Sequence, residues 1–358
     1  VSASFDVQSS TGIYNVTVEN GSFTQTLAEM HDSFVIADTF FQSPLAPVST
    51  QAIFVDAVET NKSLDASPRF IEQMRQGGAN RSTHLVAVGG GIIQDLSAFI
   101  ASVYMRGLEW TYVPTTVLAM VDSCIGGKSS INVGPYKNLV GTFHSPKQVR
   151  IDPAVIATLP DDQRASGLIE AAKITFCRGA EAFAEHMNCQ PSVAMDPAGL
   201  ERLIINSLLS KKWFIETDEF DRKERLLLNF GHTFGHAIEG ASHFAIPHGI
   251  AVGLGIECAI AFEEQRGVSY AGTPRVAQLQ QHLRDMIMAD RSVASTLLAL
   301  SPNEVINRVG SDKKHGTDFY TLILIAPSGD VELRKLPRAP ETLLDIQRAV
   351  EMMVAKYT

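Results

Sequence analysis

Between residues 34 and 116 the chain alternates short, mostly apolar runs with longer segments in which apolar positions recur at helical spacing. "FVIAD" (34–38), "AIFVD" (52–56), "HLVAVGGG" (84–91) and "WTYVPTT" (110–116) end in Asp, Gly or Thr. Strands buried on both faces of a parallel sheet read this way, as continuous rather than alternating apolar runs. Between them, "SPRFIEQMRQGGA" and "IIQDLSAFIASVYMRG" are long enough for helices, so the order predicts an α/β fold with a Rossmann-like, largely parallel sheet. From about Leu159 the pattern changes to long helical periods, predicting a mainly α-helical C-terminal domain over residues 159–358 after an α/β domain over 1–158. In "LERLIINSLLSKKWFI", Leu200, Ile204, Leu208 and Ile215 share one helical face, and a turn of about 100° per residue puts Lys211 among them. Two readings stay open: the Lys211 stem snorkels past the core, or its ammonium lines a polar cavity of the helical domain. "DVELRKLPRAP" reads as a strand end and turn, and "PETLLDIQRAVEMMVAKY" as a terminal helix.

Composition sharpens this picture. With 358 residues, 45% apolar and 19% charged, the chain should fold throughout as about two domains. Its net charge of −9, from 30 basic and 39 acidic side chains, argues against nucleic acid or an anionic membrane as partner. An anionic substrate therefore needs a local basic pocket. No run reaches the roughly 18 apolar residues of a membrane span, and "VSASFDVQSS" lacks a basic region followed by an apolar core. The expectation is a cytoplasmic protein. Cys124, Cys177, Cys189 and Cys258 are scattered, as reduced thiols are, and Cys124 reads as a small buried residue.

Candidate chemistry lies at both ends of this pattern. Gly89, Gly90 and Gly91 follow a strand and open a helix, so backbone amides can approach a pyrophosphate at the helix N-terminus. Asp38, Glu59, Lys62, Thr115 and Thr116 stand at or just beyond other strand ends, the edge where α/β sheets meet nucleotides. In "LLNFGHTFGHAIE", His232 and His236 lie at i and i+4, on one face of a helix. Taken alone, the pair is equally readable as core histidines or as part of a metal site. Glu170 and His248 are further metal-ligand candidates, because a catalytic zinc uses three protein ligands and leaves a position for substrate; a histidine beside the metal then suits proton transfer. Singly, the cations among Arg106, Lys128, Lys137, Asn138, Lys173, Lys211, Arg225, Asn229, Lys313 and Lys314 read as surface salt-bridge residues; together all of them suggest a pocket for a phosphorylated, carboxylated substrate.

"GGGIIQD", "RGLEWTYVPTT", "VDSCIGGKSSIN", "KNLVG", "GLIEAAK", "LLNFGHTFGHAIE" and "PHG" occur in this order along nearly the whole chain. In this set the chain closely resembles the 3-dehydroquinate synthase family of sugar phosphate cyclases. The resemblance implies a phosphate-eliminating lyase of the shikimate pathway and aromatic amino acid biosynthesis, which cyclises 3-deoxy-D-arabino-heptulosonate 7-phosphate with NAD turning over catalytically and a divalent metal, usually zinc, with cobalt an alternative. It implies Glu170, His232 and His248 as metal ligands and His236 as the non-ligand histidine near the phosphate. Asp122, Lys128, Asn138, Lys173, Lys211, Arg225, Asn229 and one of Lys313 or Lys314 are implied to hold substrate. Asp95, Asp122, Lys137 and Thr158 complete the cofactor set begun by the strand-end residues. The 1–158 domain would bind NAD and the 159–358 domain metal and substrate. Arg106 would reach a neighbouring subunit's site, implying a homodimer. Other sugar phosphates, as used by sister cyclases, and a net NAD-dependent dehydrogenase of the glycerol phosphate type are the alternatives.

Overall fold

The four apolar runs become adjacent strands of one sheet. In the computed structural model, which describes residues 2–47, 51–134, 136–311 and 315–358, the strands of this region are β1 (Ala3–Ser9), β2 (Gly12–Val18), β3 (Phe34–Asp38), β4 (Ala52–Val55), β5 (Leu85–Gly89), β6 (Trp110–Pro114), β7 (Ile131–Val133), β8 (Tyr136–Val140) and β9 (Gln148–Ile151). Seven form a sheet in the order β1-β2-β9-β6-β5-β3-β4, and β7 and β8 pair as a separate hairpin. Only β1 and β2 are antiparallel within the large sheet. β5 and β6 are buried along their whole length, which explains their lack of polar alternation. Leu27, Val35, Ala37, Leu45, Val86, Val88 and Val113 form a buried cluster on this sheet. The strand order reverses between β3 and β5, since the chain moves outward to β4 and then returns past β3. Ligands of open α/β sheets sit beyond the strand C-termini at such a reversal. Asp38 and Gly89 are the last residues of β3 and β5.

The chain divides into Val1–Leu159 with Asp196–Glu219, and Pro160–Met195 with Phe220–Thr358. A single cut at residue 159 therefore misses a return of the chain. Helix Pro197–Thr217 belongs to the first unit, where Gln8 N donates to Glu216 Oε1 at 2.9 Å and Ser207 Oγ to the Val121 carbonyl at 2.8 Å. Both readings of Lys211 are corrected by this packing. Its side chain is buried in the first unit, and Nζ pairs with Asp122 Oδ1 at 2.6 Å and with the Asp122 carbonyl. Periodicity shows that a helix face is buried without showing what buries it.

The second unit is mainly helical, with one antiparallel hairpin, β10 (Phe319–Ile325) and β11 (Val331–Pro337). Helices Asp161–Arg178, His232–Ala241 and His248–Glu264 form its centre. Glycine permits their close approach. A Cβ on Gly255 would lie 2.0 Å from the Gly231 carbonyl oxygen, and one on Gly249 would lie 2.0 Å from that of Ser166. No helix among the described residues is long and apolar enough to cross a membrane.

This unit also buries two imidazoles, His186 and His282, with ring centroids 5.2 Å apart. Neither ring nitrogen of His186 has a hydrogen-bond partner among the described residues. Burial pushes His282 down to about 4 and His186 well below the usual histidine value, with the His282 charge adding to the latter. A depressed histidine stabilises the fold above its unfolded-state pKa and loses that contribution as pH falls toward the folded value. Acidification from about pH 7 to about pH 5 should therefore cost about 2 kcal/mol through His282. Urea unfolding at the two pH values checks this: His282→Gln should lose visibly less stability than wild type, and equal losses would exclude His282 as the cause.

Candidate functional site

In the first unit, the strand-end candidates join one polar network. Lys62 is buried, and its Nζ donates to Asp95 Oδ2 and Asn138 Oδ1, both at 2.9 Å. Glu59 Oε1 lies 3.7 Å from the ammonium groups of both Lys62 and Lys137. Asp95 sits in helix Gly91–Val103 and accepts from Ser130 N at 3.0 Å. Burial raises its pKa against the opposing pull of Lys62. Gly89 closes β5, Gly91 opens the following helix, and Thr115 N donates to the Gly89 carbonyl at 3.1 Å. A Cβ on Gly90 would lie 2.9 Å from Thr116 Cγ2. Asp38 caps its own turn by accepting from Phe40 N.

Gln94, one helical turn from Gly90, donates to the Ser123 carbonyl at 2.6 Å and so ties the glycine turn to the π-helical turn Ala119–Ser123 that carries Asp122. Cys124 follows this turn; burial pushes its thiol up to about 12, which keeps it an unreactive packed residue. Lys128 is half-buried and bridges to Phe143. Two candidates stand apart from these networks. Thr158 is exposed at the end of a 3₁₀ turn, and Arg106 is exposed on left-handed backbone at φ 75°.

In the second unit, three helices converge on a histidine cluster. Ligand atoms of His232, His236 and His248 all lie within 4.8 Å of one another. His232 Nε2 and His248 Nε2 also lie 3.9 and 3.7 Å from Glu170 Oε1. The other nitrogens of those two rings are engaged elsewhere: His232 Nδ1 with the Phe230 carbonyl at 3.2 Å, His248 Nδ1 with Glu239 Oε2 at 3.1 Å. Each ring is thereby oriented with Nε2 toward Glu170.

Glu170 is wholly buried and pairs with Lys173 one turn along the same helix. Its Oε2 faces the Lys173 ammonium, while Oε1 has no hydrogen-bond partner among the described residues. Burial works against protonation of His248, but the hydrogen bond and charge of Glu239, with the charge of Glu170, raise its pKa overall. His236 stands exposed beside this group, its ring centroid 5.1 Å from that of His232. Arg225 is buried in the 3₁₀ turn Glu224–Asn229. Asn229 ends that turn and lines a cavity of about 440 Å³ with Leu226, Thr233, His315 and Lys335. Lys313 and Lys314 lie outside the described residues.

Sequence reasoning did not single out Glu239. Its signal was available, since seven residues from His232 is two helical turns on the same face. Asn132, whose side chain contacts Glu59 and Asn138, carried no comparable signal.

The comparisons with known proteins agree with this architecture. The family model described as 3-dehydroquinate synthase N-terminal matches residues 52–166, and that described as 3-dehydroquinate synthase C-terminal matches residues 167–315. A 3-dehydroquinate synthase of Latilactobacillus sakei subsp. sakei (strain 23K) is 32% identical over 341 residues, spanning 90% of this chain and 92% of the relative. One from Solibacter usitatus (strain Ellin6076) is 32% identical over 342 residues, spanning 92% and 94%. Among solved structures, 2-deoxy-scyllo-inosose synthase complexed with carbaglucose-6-phosphate, NAD+ and Co2+ matches with a TM-score of 0.84 at 21% identity, covering 98% of this chain and 99% of that one. The 2-epi-5-epi-valiolone synthase from Streptomyces hygroscopicus subsp. jinggangensis 5008, with NAD+ and Zn2+ bound, gives 0.79 at 23% identity and coverages of 96% and 97%. At these identities the structural likeness speaks for the fold.

Proposed function

The chain belongs to the 3-dehydroquinate synthase family, and we propose that it cyclises 3-deoxy-D-arabino-heptulosonate 7-phosphate to 3-dehydroquinate with release of phosphate, using NAD and a divalent metal. The observation that carries this reading is the orientation of His232 and His248 toward Glu170 Oε1, with both Nδ1 atoms engaged elsewhere. Ligands about 2.0–2.1 Å from a tetrahedral zinc stand about 3.4 Å apart, close to the 3.7 and 3.9 Å separations here. Glu170 Oε1, buried and without a hydrogen-bond partner among the described residues, also suits a cation beside it. Glu170, His232 and His248 therefore suit a divalent metal as ligands. The glycine turn after β5 and the Glu59–Lys62–Asp95 group suit NAD.

When bound, the metal supplies polarisation of a substrate hydroxyl and NAD a reversible hydride acceptor, so no net NADH accumulates. The protein's own groups do the remaining work. His236, beside the ligand cluster, takes and returns protons, as an imidazole can near neutral pH. In the second unit Lys173, Arg225 and Asn229 offer charges and donors of the kind a phosphate and a carboxylate require; in the first, Lys128, Asn138 and Lys211 offer the same and Asp122 an acceptor for a substrate hydroxyl. Asn229, His236 and this cationic set favour the carboxylated heptulosonate over sugar phosphates without a carboxylate. Arg106, exposed and with no ion pair or hydrogen bond among the described residues, suits a contact with a second copy in a homodimer.

The test is phosphate release from the heptulosonate phosphate with zinc and sub-stoichiometric NAD, while following NADH absorbance. Phosphate without NADH supports the proposal. Release only from glucose 6-phosphate or sedoheptulose 7-phosphate would reassign the substrate, and steady NADH accumulation would replace the cyclase with a dehydrogenase.

Glu239 gives a sharper check on the metal site. Carboxylates that orient a ligating histidine typically contribute about 10–100-fold to metal affinity. Glu239→Gln should weaken zinc binding by about that factor at neutral pH, measured by chelator competition. It should also move the acid limit of zinc uptake to lower pH, because His248 then holds its competing proton less strongly. Unchanged affinity and an unchanged acid limit would remove Glu239 from the site.

A further inference from the structure

We propose that Asn132 is a positioning residue that clamps the nucleotide-side loop at Glu59–Lys62 and the substrate-side Asn138 into one rigid element of the first unit. The inference rests on the reading above, in which Glu59 and Lys62 contact NAD and Asn138 contacts substrate. Asn132 lies in β7 and is 7% exposed. Its main chain is already committed to the loop: its N–H donates to the Lys62 carbonyl at 2.9 Å, and its carbonyl accepts from Leu64 N at 2.8 Å.

The side chain adds a contact on each side. Asn132 Nδ2 donates to Glu59 Oε1 at 2.8 Å and approaches the Glu59 carbonyl at 3.4 Å, while Asn132 Oδ1 accepts from Asn138 N at 2.9 Å. Asn138 adopts the left-handed conformation, φ 55°, which a residue other than glycine keeps when its surroundings hold it. Its own Oδ1 accepts from Lys62 Nζ at 2.9 Å. The contacts close a ring from Asn132 to Asn138, to Lys62, and through the 3.7 Å approach of Lys62 to Glu59 back to Asn132. An amide is the side chain this geometry needs, because it donates on one side and accepts on the other. A carboxylate of the same shape can only accept when ionised.

Two substitutions separate the two halves of the clamp. Asn132→Ala removes both contacts, so the dissociation constant for NAD and the KM for the heptulosonate phosphate should each rise about tenfold, the scale of one lost hydrogen bond. Asn132→Asp keeps an acceptor for Asn138 N but sets a second carboxylate against Glu59. Its KM for substrate should stay within about threefold of wild type while NAD affinity falls about tenfold. That NAD defect, relative to wild type, should shrink on acidification as the facing carboxylates come to share a proton. General loosening of the hairpin would give neither the split nor the pH recovery.

NAD binding is measured by direct titration without substrate, and KM by phosphate release. If wild type binds NAD and both variants bind it equally well, the clamp is wrong while the cofactor reading stands. The clamp is also overturned if the two variants share one loss of NAD affinity and one KM at every pH. Absence of NAD binding by wild type would overturn the cofactor reading and the clamp together.

Discussion

His232→Ala loses zinc and turnover together, whereas His236→Ala keeps its zinc and loses about 10²–10⁴-fold in turnover, the range of a general acid–base group. The two residues are one helical turn apart and both belong to the histidine cluster. The proposed division rests on the contacts of His232. His232 Nδ1 meets the Phe230 carbonyl, which leaves Nε2 facing Glu170 Oε1 beside His248 Nε2. On the proposed ligand set, removing His232 leaves two ligands, which should be too few to hold zinc through purification. His236 is the exposed member, as the proposed proton-transfer role requires. Zinc content by elemental analysis, alongside phosphate release, checks the division of labour. Equal zinc loss in both variants would make His236 a ligand; full turnover in His236→Ala would remove its proton-transfer role.

The second large effect is structural. Gly255→Ala should destabilise the second unit by about 3 kcal/mol or more, above the usual range for a single substitution. The added methyl would meet the Gly231 carbonyl oxygen at 2.0 Å and Gly235 N at 2.6 Å. Both are main-chain atoms, so no rotamer change relieves the clash. Gly231 itself sits at φ 77° as the residue before helix His232–Ala241, so its carbonyl is poorly free to turn aside. Helix His248–Glu264 must move away, separating His248 from His232 and weakening zinc binding as well. Gly272→Ala is the control, since a Cβ there meets nothing within 4 Å; its unfolding midpoint should match wild type. A wild-type midpoint for Gly255→Ala would mean that the helices are not held by this contact.

Local constraints explain what could be read along the chain. The runs at 34–38, 84–91 and 110–116 announced β3, β5 and β6 because strands buried on both faces have no polar side to show, and that at 52–56 announced the edge strand β4 by its apolar residues. The glycine turn after β5 and the i, i+4 histidines were legible for the same reason: each is a relation within one turn of backbone. The hairpin β1–β2 went unrecognised although Tyr14, Val16 and Val18 alternate as buried residues along β2.

The destination of helix Pro197–Thr217 was not legible, because an apolar face fits any apolar surface. Its Lys211 acquires a role only when β-sheet, π-turn and helix fold together and Asp122 meets its ammonium. Glu239 and Asn132 belong to the same class, since their partners are specified by hydrogen bonds between elements. Sequence by itself determined which elements form, their apolar faces and the chemical types available. Only the tertiary structure decided which imidazole nitrogen faces Glu170, which carboxylate orients His248 and which unit holds Lys211, because directional contacts depend on distances of a few ångströms between residues far apart in the chain.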